Sequence, residues 1–162
     1  MHSFIIQLQK EPVNRGEYIV SCEYEEHWFT RLVADYTYDF SFPRDAIAVF
    51  LKRLGGAEKY TEQFADRNGF GVIFKEGFRK AYFDEQYVKL RAAIQKLSDA
   101  ATVDSFRQGS LTWLMCDLRR SYDDKHGIYV ESDGDLITLN HFVRDVLENT
   151  CYYFGGVVGY HY

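Results

Sequence analysis

The amino-acid sequence predicts an α+β domain in which a largely antiparallel sheet is covered on one face by about four helices. Residues 32–42 alternate between apolar and polar side chains, Asn68-Gly69 separates two short apolar segments, and four longer segments place apolar residues at helical spacing. A sheet with one polar face is typical of antiparallel pairing. The 162 residues, of which 46% are hydrophobic and 27% charged, predict a single compact domain over residues 1–162.

The first 42 residues predict an N-terminal, three-stranded antiparallel meander. Its first two strands are residues 3–10 and 17–24, and residues 25–31 are either a bulge or a connection. The second strand is expected to direct four side chains inward: Tyr18, Val20, Cys22 and Tyr24. The Cys22 thiol is therefore expected to be buried.

Residues 32–42 predict the third strand of the meander. Its alternation assigns the aromatic side chains to one face, where we expect Tyr38 and Phe40 to be buried. The polar face is expected to expose Asp35, Thr37 and Asp39.

The first helix is predicted to begin at Pro43, because a missing N–H costs nothing in the first turn, and to end at Gly55. Residues 60–64 and 70–74 predict a β-hairpin around Asn68-Gly69. The alternating residues 78–82 predict a further strand in the same sheet.

Three more helices follow in the sequence. The second is predicted to begin at Asp84, the third at Thr102 with a break at Gly109, and the fourth at Thr138, whose hydroxyl is suited to cap it. A short strand at residues 128–131 and a turn at Asp133-Gly134 precede the fourth helix.

Residues Cys151–Tyr162 predict an integral strand at a packed sheet edge. The glycines between Gly155 and Gly159 resemble part of a phosphate-binding loop, but such a loop leads into a helix and only three residues follow Gly159. The tyrosines of this segment have two alternative roles, since they either complete the core or form a contact surface.

The charge distribution disfavours direct binding to nucleic acid. The net charge is −5, and residues 17–39 carry six acidic side chains against the single base Arg31. The three cysteines show no paired spacing, which favours a reducing cytoplasm over a disulfide framework. The N-terminus has no leader pattern and no segment is apolar enough to cross a membrane, so no membrane association is expected.

No metal site or cofactor is expected. The five histidines form no i, i+4 pair, no Cys-x-x-Cys accompanies them, and the acidic turns at 123–127 and 132–135 lack EF-hand spacing. The sequence has neither a Walker loop nor a Gly-x-Ser-x-Gly elbow.

The leading functional hypothesis is a non-enzymatic acidic protein of the bacterial cytoplasm that occupies the basic surface of a protein partner. A specific form is an inhibitor that blocks a basic nucleic-acid-binding groove, as anti-defence proteins of mobile elements do. A homodimer is an open alternative for its assembly. The residues assigned to the partner-binding surface are Glu23, Glu25, Glu26, His27, Trp28, Asp35, Asp39, Asp133, Asp135, Tyr160 and Tyr162.

The alternative is a small hydrolase or transferase whose site is assembled from distant residues. Its first candidates are His27, Glu25, Asp35 and Asp39. The two aspartates lie four residues apart on one strand, roughly 13 Å by strand rise, which is too far for a paired-carboxylate site. This distance ranks the enzyme second.

Overall fold

A mixed, mostly antiparallel sheet of seven strands forms the centre of the computed structural model, which describes residues 1–40, 43–122 and 124–162. The strands are β1 His2–Gln9, β2 Tyr36–Asp39, β3 Thr61–Asp66, β4 Gly69–Phe74, β5 Tyr129–Ser132, β6 Asp135–Thr138 and β7 Cys151–His161. Their order is β3-β4-β7-β1-β5-β6, and β2 also pairs with β7. The β1–β5 pair is parallel and the others are antiparallel. The predicted α+β class is confirmed.

Six α-helices and three 3₁₀ turns occur in the described residues. The helices are α1 Trp28–Leu32, α2 Pro43–Arg53, α3 Phe78–Ala100, α4 Val103–Arg107, α5 Thr112–Tyr122 and α6 Leu139–Asp145. The 3₁₀ turns are Arg15–Glu17, Ser21–Tyr24 and Gly55–Tyr60.

Strand β7 confirms the prediction of an integral C-terminal strand, but it lies at the centre of the sheet and not at an edge. One side of β7 pairs with β1, while the other side pairs with β4 near Tyr152 and with β2 near Gly159. A Cβ atom at Gly159 would lie 2.3 Å from the ring of Tyr38. Glycine therefore allows the β2 aromatic ring to lie directly on the strand.

Both faces of the central strands are covered, so the sheet has no wholly polar face. On one face β1, β4, β5 and β7 pack against α2, α3 and α6 around Phe74 and Phe142. On the other face Ile5, Val158 and Tyr160 pack beneath residues 19–34, which include α1. The larger helices that pack on the sheet share one face, as predicted, and the N-terminal segment covers the opposite face.

The predicted meander is wrong, because residues 17–24 form no strand. Both edges of β1 are occupied, one by β5 and the other by β7, so neither edge is open to the following segment. The buried Gln7 side chain instead fixes that segment: its Oε1 accepts hydrogen bonds from the Ile19 and Gly156 amides at 3.3 and 2.9 Å, and its Nε2 donates to the Glu17 carbonyl at 3.1 Å.

The inward assignments for that segment are therefore largely corrected. Tyr18, Val20 and Cys22 are exposed, whereas Tyr24 and the neighbouring Ile19 are buried. A 3₁₀ turn does not have the two-residue period of a strand, so the alternation did not report the buried side.

The alternation at residues 32–42 corresponds to a strand only at Tyr36–Asp39. Leu32 ends α1 and is exposed, while Ser41 and Phe42 lie outside the described residues. Asp35 and Asp39 are exposed as predicted. Thr37 is half-buried because its hydroxyl donates to the Ser21 carbonyl at 3.0 Å, and Tyr38 and Phe40 are half-buried because they line an open cleft.

Helix α2 and the β3–β4 hairpin form as predicted, and Gly55 has the left-handed φ of +60° expected at the helix end. The predicted strand at 78–82 is wrong, because α3 begins at Phe78. The carboxylate of Glu148 accepts hydrogen bonds from the Gly77 and Arg79 amides at 3.1 and 2.9 Å and so caps α3 from a distant part of the chain.

Asp84 consequently lies inside α3, where it pairs with Lys80. Thr102 and Thr138 cap α4 and α6 as predicted, with their hydroxyls accepting from amides three residues later. Gly109 separates α4 from α5 with a φ of +67°. The turn at Asp133-Gly134 and strand β5 form as predicted. The turn joins β5 to β6, a strand that was not predicted from the sequence.

The second half of α3, α4 and α5 form a helical hairpin that extends from the sheet, and residues 86–122 are named the hairpin arm. Helix α5 packs along α3, yet no described residue of α4 or α5 is buried. The arm exposes large apolar side chains, among them Phe106 and Trp113.

Candidate functional site

Glu23 and Glu131, from two parts of the chain, are neighbours on the sheet face that carries the N-terminal segment. Together with the carboxylates that follow each of them in the chain, Glu25 and Glu26 and Asp133 and Asp135, they are named the acidic face. Glu23 lies in the second 3₁₀ turn, where its Oε2 accepts from the Val20 amide at 3.2 Å. Asp133 and Asp135 belong to the turn between β5 and β6. The negative charge of Glu23 acts on Glu131, which shows that the two groups are neighbours.

Glu131 is the half-buried member of the acidic face. Burial raises the pKa of its carboxyl, and the charge of Glu23 adds to the rise, while hydrogen bonds from Gln9, Gly134 and Gln7 partly oppose it. Burial also raises the pKa of Tyr24, with Glu131 and Glu23 as further causes. These shifts are those of a locally negative environment.

Helix α1 places exposed apolar side chains beside these carboxylates. Trp28 and Leu32 are both exposed, and Trp28 lies two residues after Glu26 in the chain. His27 caps the helix: its Nδ1 accepts from the Phe29 amide at 3.3 Å. The role of His27 in this structure is therefore to position α1.

The acidic face is short of basic partners. None of the ion pairs among the described residues involves Glu23, Glu25 or Glu26. Asp133 pairs with Lys10 at 3.4 Å. The three glutamates and the exposed Trp28 thus form a surface with uncompensated charge and an aromatic group.

The other predicted site residues are held by contacts of their own. Asp39 accepts from the Ser21 amide at 2.8 Å, and Asp35 contacts His161, with 2.9 Å between Oδ2 and Nδ1. Tyr160 is fully buried, and its hydroxyl donates to the Gly127 carbonyl, so it belongs to the core. Tyr162 is half-buried, and its ring stacks on that of His126 with centroids 4.6 Å apart.

Asp35, His2, Tyr36 and His161 lie together where β1, β2 and β7 meet, and they are named the edge cluster; the sequence did not predict it. Pairing of β1, β7 and β2 places His2, His161 and Tyr36 side by side. The rings of Tyr36 and His161 stack at 5.2 Å, and His2 contacts His161 at 5.0 Å. No local signal could have revealed this cluster, because His2 and His161 stand at opposite ends of the sequence and only the strand register joins them.

An open cleft of about 660 Å³ lies beside the edge cluster, between the sheet and helices α2, α3 and α5. Phe4, Tyr38 and Phe40 line its aromatic side, and Lys52 and Arg120 line its helical side. Burial raises the pKa of Tyr38, and the neighbouring Tyr36 adds to the rise. The volume is in the range of small-molecule sites.

The structure does not assemble the four candidates of the enzyme hypothesis. His27 caps α1, Asp39 binds the Ser21 amide, and Asp35 contacts His161, which is not one of the four. Within residues 1–40, 43–122 and 124–162 there is no group of three metal-ligating side chains. In the same residues no helix is long and apolar enough to span a membrane.

Comparison of the chain with protein-family models, with curated proteins and with solved structures gave no match.

Proposed function

We propose that this chain is a non-enzymatic binding protein whose acidic face occupies the basic surface of a protein partner. The observation that carries the proposal is the group formed by Glu23, Glu25 and Glu26 next to the exposed Trp28, in which no carboxylate has a basic partner among the described side chains. The proposal includes a cytoplasmic location, which is supported by three unpaired, exposed cysteines.

The two kinds of side chain have different parts in binding. Uncompensated carboxylates attract a basic surface over a Debye length and so raise the rate of association. Trp28 and Leu32 provide the apolar area that holds the complex, since buried aromatic side chains commonly dominate binding energy. Glu23 is already held by the Val20 amide, which lowers the entropy cost of fixing it.

A specific form of the proposal is inhibition of a nucleic-acid-binding protein in a bacterial host. In this form the carboxylates occupy sites that phosphates would otherwise use, and the chain itself does not bind nucleic acid. A duplex oligonucleotide that the partner binds should then compete with this chain for the partner. Simultaneous binding of both to the partner would reject the inhibitor and leave the binding function to be tested separately.

The binding function is tested by neutralising the three glutamates of the acidic face together. Glu23→Gln, Glu25→Gln and Glu26→Gln should reduce retention of the host partner at least tenfold and flatten the dependence of its Kd on salt between 50 and 500 mM. The matched control is Asp99→Asn, Asp104→Asn and Asp117→Asn, which removes the same charge from the hairpin arm. Equal effects of the two triple variants, or a Kd that does not change with salt, would contradict the proposal.

A second candidate function is supported by the contact of Asp35 with His161. A carboxylate bound to imidazole Nδ1 is the arrangement that orients a histidine as a general base, and the open cleft lies nearby. A hydrolase or transferase of this kind should act on model esters or phosphoesters, and His161→Gln should abolish that turnover. Absence of turnover above the level of His161→Gln across such a panel would reject this candidate.

A further inference from the structure

The hairpin arm is held together by one narrow seam between its two long helices. Within the arm, the half-buried positions of α3 are Gln86, Leu90, Ala93, Leu97 and Ala100, which are spaced alternately by four and three residues. Those on the facing segment are Leu111, Leu114, Leu118 and Ser121, in steps of three and four. This is the a/d repeat of an antiparallel coiled coil. Gln86 and Tyr122 line one groove, as antiparallel packing requires.

The position that follows each d residue, heptad position e, is apolar throughout the arm. It is occupied by Tyr87 and Ile94 in α3 and by Met115 and Tyr122 in α5, which expose 60%, 44%, 59% and 76% of their surface. Each e residue lies about 100° around its helix from the d residue that precedes it. Because the two helices are antiparallel, the e residues of both helices lie on the same side of the hairpin. These four residues are named the e face.

The opposite side of the seam has a different composition. Its helical g positions are Lys89, Lys96 and Asp117, all exposed and charged, and the neighbouring c position of α5 carries the exposed Trp113. A two-helix seam requires apolar residues at a and d only, whereas apolar residues at a, d and e are typical of helices that pack against more than one neighbour. The arm therefore has an apolar face whose four side chains are all exposed.

The charge around the e face distinguishes between occupants. The arm carries six basic and three acidic residues in a chain whose net charge is −5, and two of the bases, Lys89 and Lys96, lie on the opposite side of the seam. Arg91 lies at the b position beside the e face, and a groove of about 700 Å³ continues from Tyr87 and Tyr122 to His141 and Arg144 of α6, with Arg119 and the single acidic residue Asp124 also in its lining. Pairing of two copies through this face would bring basic rim onto basic rim, which like-charge repulsion disfavours. A helix with acidic residues on its rim complements the face.

We propose that the e face of the hairpin arm binds an amphipathic helix of a partner protein, with apolar residues against Tyr87, Ile94, Met115 and Tyr122 and with Asp or Glu residues toward Arg91 and Arg144. Helix α5 has 11 residues and is roughly 16 Å long, so the face accommodates about three turns of a partner helix. This surface is separate from the acidic face and has the opposite charge preference, so the chain can engage two partners of opposite charge.

A site-specific photocrosslinker in the full chain, expressed in its host, tests the proposal. The crosslinking amino acid replaces Met115 on the e face in one variant and, in the control, Cys116 at the f position, which lies about 100° further around the helix. We expect a discrete adduct from position 115 only, with the linked peptide in an amphipathic, acidic helix of another protein. An adduct of two copies of this chain, an adduct with lipid or nucleic acid, or no excess at position 115 over position 116 would overturn the proposal.

A synthetic peptide of the crosslinked helix provides the second readout. Its Kd for the purified chain should rise at least tenfold with Ile94→Glu and with Arg91→Glu, because the first change disrupts the apolar contact and the second reverses the rim charge. Val88→Glu, at the exposed f position, should leave the Kd unchanged. Equal weakening by Val88→Glu would contradict the assignment of the e face, as would the absence of any effect of Ile94→Glu on the Kd.

Discussion

The sheet with its packed helices and N-terminal segment, named the sheet body, contains the same kinds of large apolar side chain as the hairpin arm. The body buries these side chains, whereas the arm exposes them. Phe74 and Phe142 of the body are buried between the sheet and its helices, whereas Phe106 of the arm is 80% exposed and Trp113 is also exposed. The body has a second layer on each face of the sheet, while the arm has one seam between α3 and α5, and neither α5 nor the short α4 has a buried residue. An aromatic content of 17% is therefore not a measure of core size alone.

Loss of β7 should have the largest effect, because this strand pairs with β1, β2 and β4 and contributes to both cores. Deleting residues 151–162 is expected to abolish cooperative unfolding, since the lost burial at about 25 cal/mol per Å² is comparable with a total stability of about 5–15 kcal/mol. Thermal denaturation followed by near-ultraviolet circular dichroism measures this. A soluble truncated chain with an unchanged Tm would contradict the central position of β7.

A pair of phenylalanine substitutions compares the two regions directly. Phe74→Ala should lower the free energy of unfolding by about 3–5 kcal/mol by leaving a cavity, whereas Phe106→Ala should change it by less than about 0.5 kcal/mol. Phe40→Ala should fall between them, because that side chain is half-buried. Urea denaturation of the three variants gives the ranking, and equal midpoints for the Phe74 and Phe106 variants would show that the arm is packed like the body.

The buried amide of Gln7 should matter far more than an exposed one. Gln7→Met keeps the volume but removes the acceptor of the Ile19 and Gly156 amides, so a loss of at least about 1–3 kcal/mol is expected. The control is Gln95→Met on the arm, whose amide donates to the exposed Asp99 and should contribute little. Similar unfolding free energies for the two variants would mean that Gln7 does not fix the N-terminal segment.

Two glutamates should give small pH effects of opposite sign. Burial raises the pKa of Glu131, so its contribution to stability is present at low pH and is lost as the pH rises through its folded-state pKa. Glu131→Gln should therefore gain stability relative to the parent chain as the pH rises from 4 to 7. Its measure is the difference in urea midpoint at the two pH values.

Glu85, at the base of the arm, provides the opposite case. Lys89 and the Gly56 amide lower the pKa of its carboxyl, so its contribution is present above the usual glutamate pKa of about 4.3 and is lost as the pH falls through the lower folded-state value. Glu85→Gln should be the less stable chain at pH 7 and should match the parent chain at low pH. The stabilities of the two variants relative to the parent chain should change in opposite directions as the pH rises. A change in the same direction for both variants would contradict the assigned environments.

Local signals in the sequence predicted the parts of the fold that local chemistry determines. Pro43 and Gly55 correctly bounded α2, Thr138 capped α6, and Asn68-Gly69 correctly indicated a hairpin. The errors arose where a distant contact decides the conformation. Residues 17–24 form turns because Gln7 and β7 bind them, although their alternation resembles a strand.

The candidate sites show the same division. The acidic residues near Glu23 could be found from the sequence because they lie close together in it. Their proximity to Glu131 could not be predicted, because it depends on the parallel pairing of β1 with β5. The helical spacing of Tyr87, Leu90, Ile94 and Leu97 predicts an apolar stripe along α3. Its exposure could not be foreseen, because a stripe of this kind does not specify how many helices cover it.

The sheet body is covered on both faces, whereas the hairpin arm has an exposed apolar face. Native-state hydrogen exchange, resolved by residue, tests this difference most directly. Amides of α5 should exchange through local opening with free energies several kcal/mol below those of β1 and β7, which should exchange only on global unfolding. Addition of the partner helix should raise protection in α5 and leave β1 unchanged. Equal protection of α5 and β7 in the isolated chain would show that the arm is part of the same cooperative core, and would contradict the account.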